Sequence, residues 1–196
     1  MSYEDEYEYK PSILSIIWSW IWSFIVAFII VGGVYFFLGR PFTVSGASMY
    51  PTLHNGDRMV LSKVGDIHRF DVVILKAPDE NVEYIKRVIG MPGDTIEMKS
   101  GVLYINGKKV DQPFINTEAL AKQTVFMDDF TLESLTGESK VPEGKYFVLG
   151  DNRGVSKDSR MIGFIDCSAI EGKAVFTIWP FGRIGGQKDY SYLYSE

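Results

Sequence analysis

The longest hydrophobic run of the chain lies near its N-terminus. From Ile13 to Leu38 no side chain carries a charge, and a helix of that length can cross the roughly 30 Å hydrocarbon core of a bilayer. A cleaved secretory signal would have a basic start and a shorter apolar core, whereas this chain begins MSYEDEYEYK. The pattern therefore predicts an uncleaved transmembrane anchor at residues 12–39, preceded by a short acidic tail at residues 1–11.

Small residues recur at every fourth position within this run, at Ser15, Ser19, Ser23 and Ala27. This spacing permits two helices to pack closely. Alternatively, each serine hydroxyl bonds back to its own helix and faces lipid. The sequence leaves the oligomeric state open.

Short β-branched runs bounded by Gly, Pro and Asp dominate the rest of the chain, and such runs are typical of strands. Within one of them, Asn106-Gly107 separates VLYI from KKV, which is a strong signal for a two-residue hairpin. No convincing amphipathic helix follows the anchor, so we expect a mainly β fold, a sheet coiled into a barrel-like domain over residues 40–185. The predicted strands are 58–62, 71–76, 83–89, the hairpin at 102–110, 145–149 and 173–178.

Two stretches are less regular. Residues 116–140 mix apolar and acidic positions and are interpreted as a variable excursion that could hold a short helix capped near Thr117. Residues 186–196 form a polar, aromatic tail of unknown order.

The overall charge argues against a nucleic-acid partner. The formal net charge is −5 with both signs mixed along the chain, so no basic surface is indicated. The only cysteine is Cys167, which excludes an intrachain disulfide and a cysteine-rich metal site. We interpret Cys167 as a packing residue and expect neither a metal nor a cofactor.

The stretch SGASMYPTL supplies a candidate nucleophile. Ser48 lies in a turn of small residues with Gly46 and Pro51 close by. Such a turn lets a substrate backbone approach closely and keeps the hydroxyl outside regular secondary structure, as an activated serine requires. Taken alone, the stretch favours an ordinary turn residue at Ser48, because serine in a Gly/Pro-rich turn is usually no more than that.

Lys86 is a candidate base. In an extended strand it shares a face with Tyr84 and Val88, while Arg87 points to the other face. A base working near pH 8 needs a pKa about 2 units below the usual lysine value, which burial in an apolar site can supply. The competing interpretation is a surface lysine with a solvated amine.

Histidine offers little for a Ser-His-Asp triad. The chain contains only His54 and His68, and we interpret both as surface residues.

Four ordered segments behind a single anchor carry a family resemblance. SGASMYPTL, RFDVVILKAP, YIKRVIGMPGDTI and GDNRGVSKDSR resemble the successive motifs of the type I signal peptidases, which are membrane-anchored Ser-Lys endopeptidases. The resemblance extends to WPFGRIG and omits only the two tails and the 116–140 excursion. It implies that the chain removes signal peptides from exported preproteins through an acyl-enzyme.

The resemblance also implies roles for individual residues. Ser48 would be the nucleophile and Lys86 the general base, with no histidine in the mechanism. Ser156 would orient the lysine, and Asp158 and Arg160 would form a structural ion pair.

The oxyanion hole would use the backbone N–H of Ser48. Gram-negative members add a serine hydroxyl two positions earlier, and here that position is Gly46, the pattern of the shorter Gram-positive enzymes. The second donor is therefore missing or comes from the main chain. Pockets selecting small residues at positions −1 and −3 would be lined by Phe42, Val44, Met49, Leu53, Met59, Ile74, Tyr84 and Ile85, each of which could instead be plain core.

The implied partners are signal-peptide-bearing preproteins at the export channel and membrane lipid. The acidic tail would be cytoplasmic and the enzyme domain would lie on the extracellular face of the cell membrane. The charges flanking the anchor, Lys10 before it and Arg40 after it, determine this orientation poorly.

Three alternatives differ in what the sequence should contain. A self-cleaving repressor would carry a DNA-binding module in place of the anchor. A catalytically silent relative, acting as a partner in export or surface assembly, would have lost the serine or the lysine, and this chain retains both Ser48 and Lys86. A membrane-tethered β binding domain would not explain Lys86 or Ser156.

Overall fold

The computed structural model describes residues 12–38, 41–115 and 129–194. Contacts divide the chain into two compact units, Met1–Phe37 and Leu38–Glu196. The predicted helix capped near Thr117 lies outside the described residues.

The first unit is built on one helix, α1, at Ile13–Leu38. Its span Ile13–Gly33 has a mean hydropathy of 2.3 and is long and apolar enough to cross a membrane. The hydroxyls of Ser15, Ser19 and Ser23 donate to backbone carbonyls within the helix, at 2.7, 2.8 and 2.9 Å. The second interpretation of the small-residue pattern, bonding within the helix, is therefore observed.

The second unit is mainly β, which confirms the predicted fold class. Its strands are β1 Pro41–Thr43, β2 Arg58–Ser62, β3 Val72–Lys76, β4 Glu83–Gly90, β5 Ile96–Lys99, β6 Val102–Ile105, β7 Lys108–Val110, β8 Phe130–Thr131, β9 Lys145–Leu149, β10 Ile165–Asp166, β11 Ile170–Trp179 and β12 Gly185–Gly186. Among the described residues, two short α-helices connect strands, α2 at Leu132–Thr136 and α3 at Ser159–Ile162.

The strands form two antiparallel sheets. The larger has the order β1-β2-β11-β3-β4-β9-β10, with β12 paired to β11, and the smaller has the order β7-β6-β5-β8. Strand β3 is buried on both faces, so its residues read as a continuous apolar run, VVIL, instead of an alternating one. Every predicted strand is present; β1, β5, β8, β10 and β12 were not predicted.

The pairing of β4 positions the site. Strand β3 pairs with Glu83 through Arg87, whereas the described pairing with β9 begins at Arg87. In the described sheet, residues 83–86 therefore have a strand neighbour on one side only. Lys86 lies in this half-open stretch.

The hairpin between β6 and β7 turns at Asn106-Gly107, where both residues have positive φ, 51° and 75°. This is the geometry expected of a two-residue hairpin with the favoured twist. Part of the 116–140 excursion is described, and its residues 129–140 contain β8 and α2. Helix α2 begins with a capping box between Thr131 at the N-cap and Ser134.

The C-terminal segment 187–194 packs against the smaller sheet's core, where Tyr190, Leu193 and Tyr194 join the hydrophobic cluster. The Tyr194 ring lies 4.3 Å from the guanidinium of Arg69, and the Tyr190 ring lies 5.4 Å from that of Arg87. The tail whose order the sequence left open is thus a packed strap.

Candidate active site

Ser48 lies in a turn that the 150–160 segment holds in place. Its side chain is half-buried, and its carbonyl accepts a hydrogen bond from the Asn152 backbone N–H at 2.9 Å. The Asn152 side-chain amide donates to the neighbouring carbonyl of Ala47 at 3.1 Å. The backbone around the hydroxyl is therefore fixed by contacts far away in sequence.

Gly46 gives this turn its shape. Its φ is +87°, a conformation that side chains rarely adopt. Its N–H donates to the Asn55 side chain at 2.9 Å, so this amide is already used. The Ser48 N–H, by contrast, has no partner among the described residues.

Lys86 is a buried amine beside the Ser48 hydroxyl. The residue is 3% exposed, and its Nζ lies 3.2 Å from Ser48 Oγ and 3.0 Å from the carbonyl oxygen of Ile85. The ring of Tyr84 lies 4.9 Å from the same nitrogen. Strand β4 therefore brings Lys86 and Tyr84 to one face, as the alternation of an extended strand requires.

Burial sets the proton affinity of this amine. Desolvation lowers the pKa of Lys86 to about 8, and the nearby Asp158 carboxylate opposes that shift only in part. Losing hydration in such a site costs a charged ammonium much more free energy than it costs a neutral amine. The amine can therefore accept a proton near neutral pH.

The 150–160 segment meets the turn closely at Gly150. A Cβ placed on Gly150 would lie 2.2 Å from Ser156 Oγ and 2.5 Å from the Ser48 carbonyl oxygen. Ser156 is 6% exposed, and its Oγ has no hydrogen bond partner among the described residues. A glycine is needed here because two backbones and a side chain converge.

Asp158 and Arg160 form a two-pronged ion pair. Arg160 Nε donates to Asp158 Oδ1 at 2.8 Å, and its Nη2 donates to Oδ2 at 2.9 Å. Asp158 is fully buried and also accepts from the Gly150 N–H at 2.9 Å. The pair thus secures the segment directly below its closest approach to Ser48.

A second buried ion pair was missed by the sequence reasoning. Arg87 donates to both carboxylate oxygens of Asp151, at 2.8 and 2.6 Å, and Thr52 Oγ1 donates to the same carboxylate at 2.5 Å. Arg87 stacks over Phe114 at 4.2 Å. The signal was present, because Arg87 adjoins Lys86 and Asp151 opens the DNRGVSKDSR string, but charged residues are usually exposed.

The predicted pocket residues pack as core. Val44, Met49, Leu53, Met59, Ile74 and Ile85 are each 3% exposed or less, and Phe42 packs against the same cluster. Tyr84 instead packs against a different cluster, beside Lys86. Their role as pocket walls stays a prediction.

Neither histidine is bonded to Ser48 in the described part of the chain. The His68 side chain is 65% exposed, and His54 lies edge-on to the ring of Tyr50, 5.1 Å between centroids. Among the described residues there is no group of three or more His, Cys, Asp or Glu that could hold a metal ion. What the described residues place at Ser48 is a hydroxyl beside a buried amine.

The sequence is similar to that of a known protein family and of several of its members. Residues 17–179 match the family described as signal peptidase, peptidase S26. Signal peptidase I of Bacillus licheniformis is 47% identical over 156 residues, covering 76% of this chain and 81% of the relative. Signal peptidase IB of Staphylococcus aureus strain Mu50 is 44% identical over 156 residues, covering 75% and 81%.

A solved structure shows the same architecture. The crystal structure of a signal peptidase I from Enterococcus faecalis V583 aligns with a TM-score of 0.51 at 40% identity. The alignment covers 57% of this chain and 98% of that chain.

Proposed function

This chain belongs to the signal peptidase family, peptidase S26, and on that premise we propose that it removes signal peptides from exported preproteins as a membrane-anchored Ser-Lys endopeptidase. The observation that carries the proposal is the buried Lys86 Nζ, 3.2 Å from Ser48 Oγ. No other side chain described in the structure offers Ser48 a base at that distance.

The proposed reaction begins with proton transfer. The Ser48 hydroxyl gives its proton to neutral Lys86 Nζ while its oxygen attacks the scissile carbonyl carbon. The resulting oxyanion accepts a hydrogen bond from the Ser48 N–H. Gly46 is not the second donor, because its N–H is held by Asn55.

Lys86 then acts as the general acid. Its ammonium returns the proton to the leaving amine as the peptide bond breaks, which leaves the signal peptide esterified to Ser48. In the second half, Lys86 takes a proton from water, the hydroxide formed displaces Ser48 from the ester, and the Lys86 ammonium returns the proton to Ser48 Oγ. Every proton removed is returned, so the amine ends as it began.

The lowered pKa predicts a pH dependence. With a pKa of about 8, about a tenth of Lys86 is neutral at pH 7. The rate constant kcat/KM should therefore rise about tenfold per pH unit below pH 7 and level off above pH 9.

The supporting residues hold the nucleophile and the base in position. Asn152 holds the nucleophile's backbone, and the Asp158–Arg160 pair holds the segment that bears Ser156. We propose that Ser156 orients Lys86 during the reaction, since its hydroxyl is buried at the site and unpaired within the described residues.

The substrate strand would lie along residues 83–86, which have a strand neighbour on one side only in the described sheet. Pairing of an extended peptide to such an edge uses backbone groups and leaves specificity to pockets. We propose that these pockets admit only small residues at positions −1 and −3, because larger groups would collide with the buried cluster.

The proposed setting is the cell membrane, with the tail cytoplasmic and the β unit outside, where preproteins leave the export channel. Helix α1 is apolar enough to serve as the anchor. An apolar patch at the end of β11 and the turn after it, between 39% and 74% exposed, would suit contact with lipid. Its members are Phe176, Ile178, Trp179, Phe181 and Ile184.

The test is cleavage of a purified preprotein by the full chain in detergent or lipid, with the cut site read by mass spectrometry. Cleavage after a small-x-small sequence should vanish in Ser48→Ala and in Lys86→Ala. Ser45→Ala, an exposed serine of the same turn, serves as the control and should keep full activity. An active Ser48→Ala or Lys86→Ala variant would refute the dyad.

A further inference from the structure

Lys157 joins two segments that flank Lys86. Its Nζ lies 2.5 Å from Asp79 Oδ2 and 2.6 Å from Glu80 Oε1. The two acids lie in the turn between β3 and β4, whereas Lys157 lies in the 150–160 segment. We call these three residues the Lys157 clasp.

The clasp reaches Lys86 through Tyr84. The Tyr84 hydroxyl donates to Glu80 Oε1 at 3.2 Å and also interacts with the Lys157 ammonium. The other end of Tyr84, its ring, lies 4.9 Å from Lys86 Nζ. Tyr84 is thus held by its hydroxyl while its ring covers the amine.

We propose that Lys157 is a positioning residue that acts through Glu80 and Tyr84 to hold an aromatic cover over Lys86 Nζ. The proposal rests on the proposed role of Lys86 as the general base. Without the clasp, the β3–β4 turn and the Tyr84 ring can move away and let water reach the amine. Water would stabilise the ammonium, and the neutral base would become scarcer at a given pH.

The other described groups that face Lys86 have contacts of their own outside the clasp. The Ser48 hydroxyl and the Ile85 carbonyl contact its Nζ directly. The Asp158 carboxylate favours the charged amine, but it is held by Gly150 and Arg160 and not by Lys157. Opening the clasp therefore changes hydration, and the pKa of Lys86 should rise.

The experiment compares kcat/KM from pH 6 to 10 for the full chain and its variants. At pH 7 the kcat/KM of Lys157→Ala should be about three- to fivefold lower than that of the parent, and at pH 10 the two should be equal. The reason is that the acid limb of the kcat/KM profile moves to higher pH. A modest change is expected since the clasp side chains are 32% to 52% exposed. Salt at 1 M, which screens the clasp charges, should move the pH profile of the parent toward that of Lys157→Ala.

Three further variants sharpen the test. Tyr84→Phe keeps the ring and loses the hydroxyl, so it should shift the acid limb in the same direction. Lys157→Arg should behave like the parent. Lys145→Ala breaks an exposed ion pair with Asp166, 3.2 Å between charges, and as the matched control it should leave the profile unchanged.

Two outcomes would overturn the proposal. An equal loss at pH 7 and pH 10 would mean that Lys157 acts on substrate binding or folding, and an unchanged profile would mean that the clasp has no role. Failure of the underlying dyad looks different, because Lys86→Ala would then remain active. An inactive Lys86→Ala with an unshifted Lys157→Ala profile removes the clasp proposal alone.

Discussion

Replacing Lys86 with methionine should abolish cleavage and stabilise the protein. The amine is 3% exposed, and burial lowers its pKa from 10.5 to about 8. Keeping an ammonium in that site costs the folded state about 3 kcal/mol at pH 7. Methionine has a similar shape and no charge, so most of this cost disappears.

The net gain in the free energy of unfolding is smaller than about 3 kcal/mol because Lys86→Met also loses one hydrogen bond. The Ile85 carbonyl, which now accepts from Lys86 Nζ at 3.0 Å, is left without that donor, at a cost of about 1 kcal/mol. The expected gain is therefore about 2 kcal/mol, or an increase in Tm of about 4–8 °C for a unit of this size.

The pH dependence identifies the cause. Below pH 8 the lysine is protonated in both the folded and the unfolded state, so the methionine variant keeps its whole advantage. Between pH 8 and pH 10.5 the unfolded state binds the proton and the folded state does not, so the lysine protein gains stability as pH rises. Above pH 10.5 the advantage of the variant should be gone.

The assay is unfolding of the full chain in detergent, by heat and by urea, at pH values from 7 to 10.5. Lys99→Met, an exposed lysine on strand β5, is the control and should change stability by less than about 0.5 kcal/mol. If Lys86→Met is less stable than the parent at pH 7, or if the difference does not vary with pH, Lys86 is not a desolvated cation.

Three further changes probe the contacts around the site. Gly150→Ala should reduce kcat about a hundredfold, because its new Cβ would lie 2.5 Å from the Ser48 carbonyl oxygen and must displace the nucleophile by about 1 Å; single-turnover kinetics would measure this. Asp151→Ala should lower stability by about 3–5 kcal/mol in urea unfolding, because it leaves Arg87 buried without its carboxylate. Ser156→Ala should lower kcat more than it raises KM, since the expected role is on the base and not on substrate binding.

Each of these has its own control and contrary result. Gly182→Ala adds a Cβ with no atom within 4 Å, and nearly normal kcat in Gly150→Ala would mean that the turn adapts. Asp166→Ala removes an acid whose side chain is 63% exposed and should cost under about 1 kcal/mol; an equal loss in both aspartate variants would contradict the buried-pair reasoning. For Ser156→Ala, unchanged kcat with a raised KM would be the contrary result.

Local patterns accounted for much of the fold. The Asn106-Gly107 hairpin was predictable because its turn residues determine the backbone conformation and the register of two strands. Strand β5 was missed because IEMK is short and contains two charged residues, which its exposed face accommodates. The placement of β11 between β2 and β3 depends on long-range packing and has no local signal.

Long-range contacts also limited what the sequence could predict of the site. Strand alternation correctly separated Lys86 and Arg87 onto opposite faces, but it gave no partner for Arg87. That partner, Asp151, lies in the motif-bearing DNRGVSKDSR string, but the sequence gives no reason to pair it with Arg87, since charged residues are usually exposed. The hydration of Lys86 was likewise open, because its burial depends on β3, the Ser48 turn and the 150–160 segment together.

The strap at residues 187–194 is the last described part of the chain to be synthesised. Tyr190 and Tyr194 leave the ribosome after Arg87 and Arg69, the guanidinium groups that they cover, while helix α1 leaves before all of them. A nascent chain therefore presents its apolar helix for insertion while the core beneath the proposed site still lacks its aromatic cover. The apolar helix can therefore reach a membrane before the β unit has its full hydrophobic core.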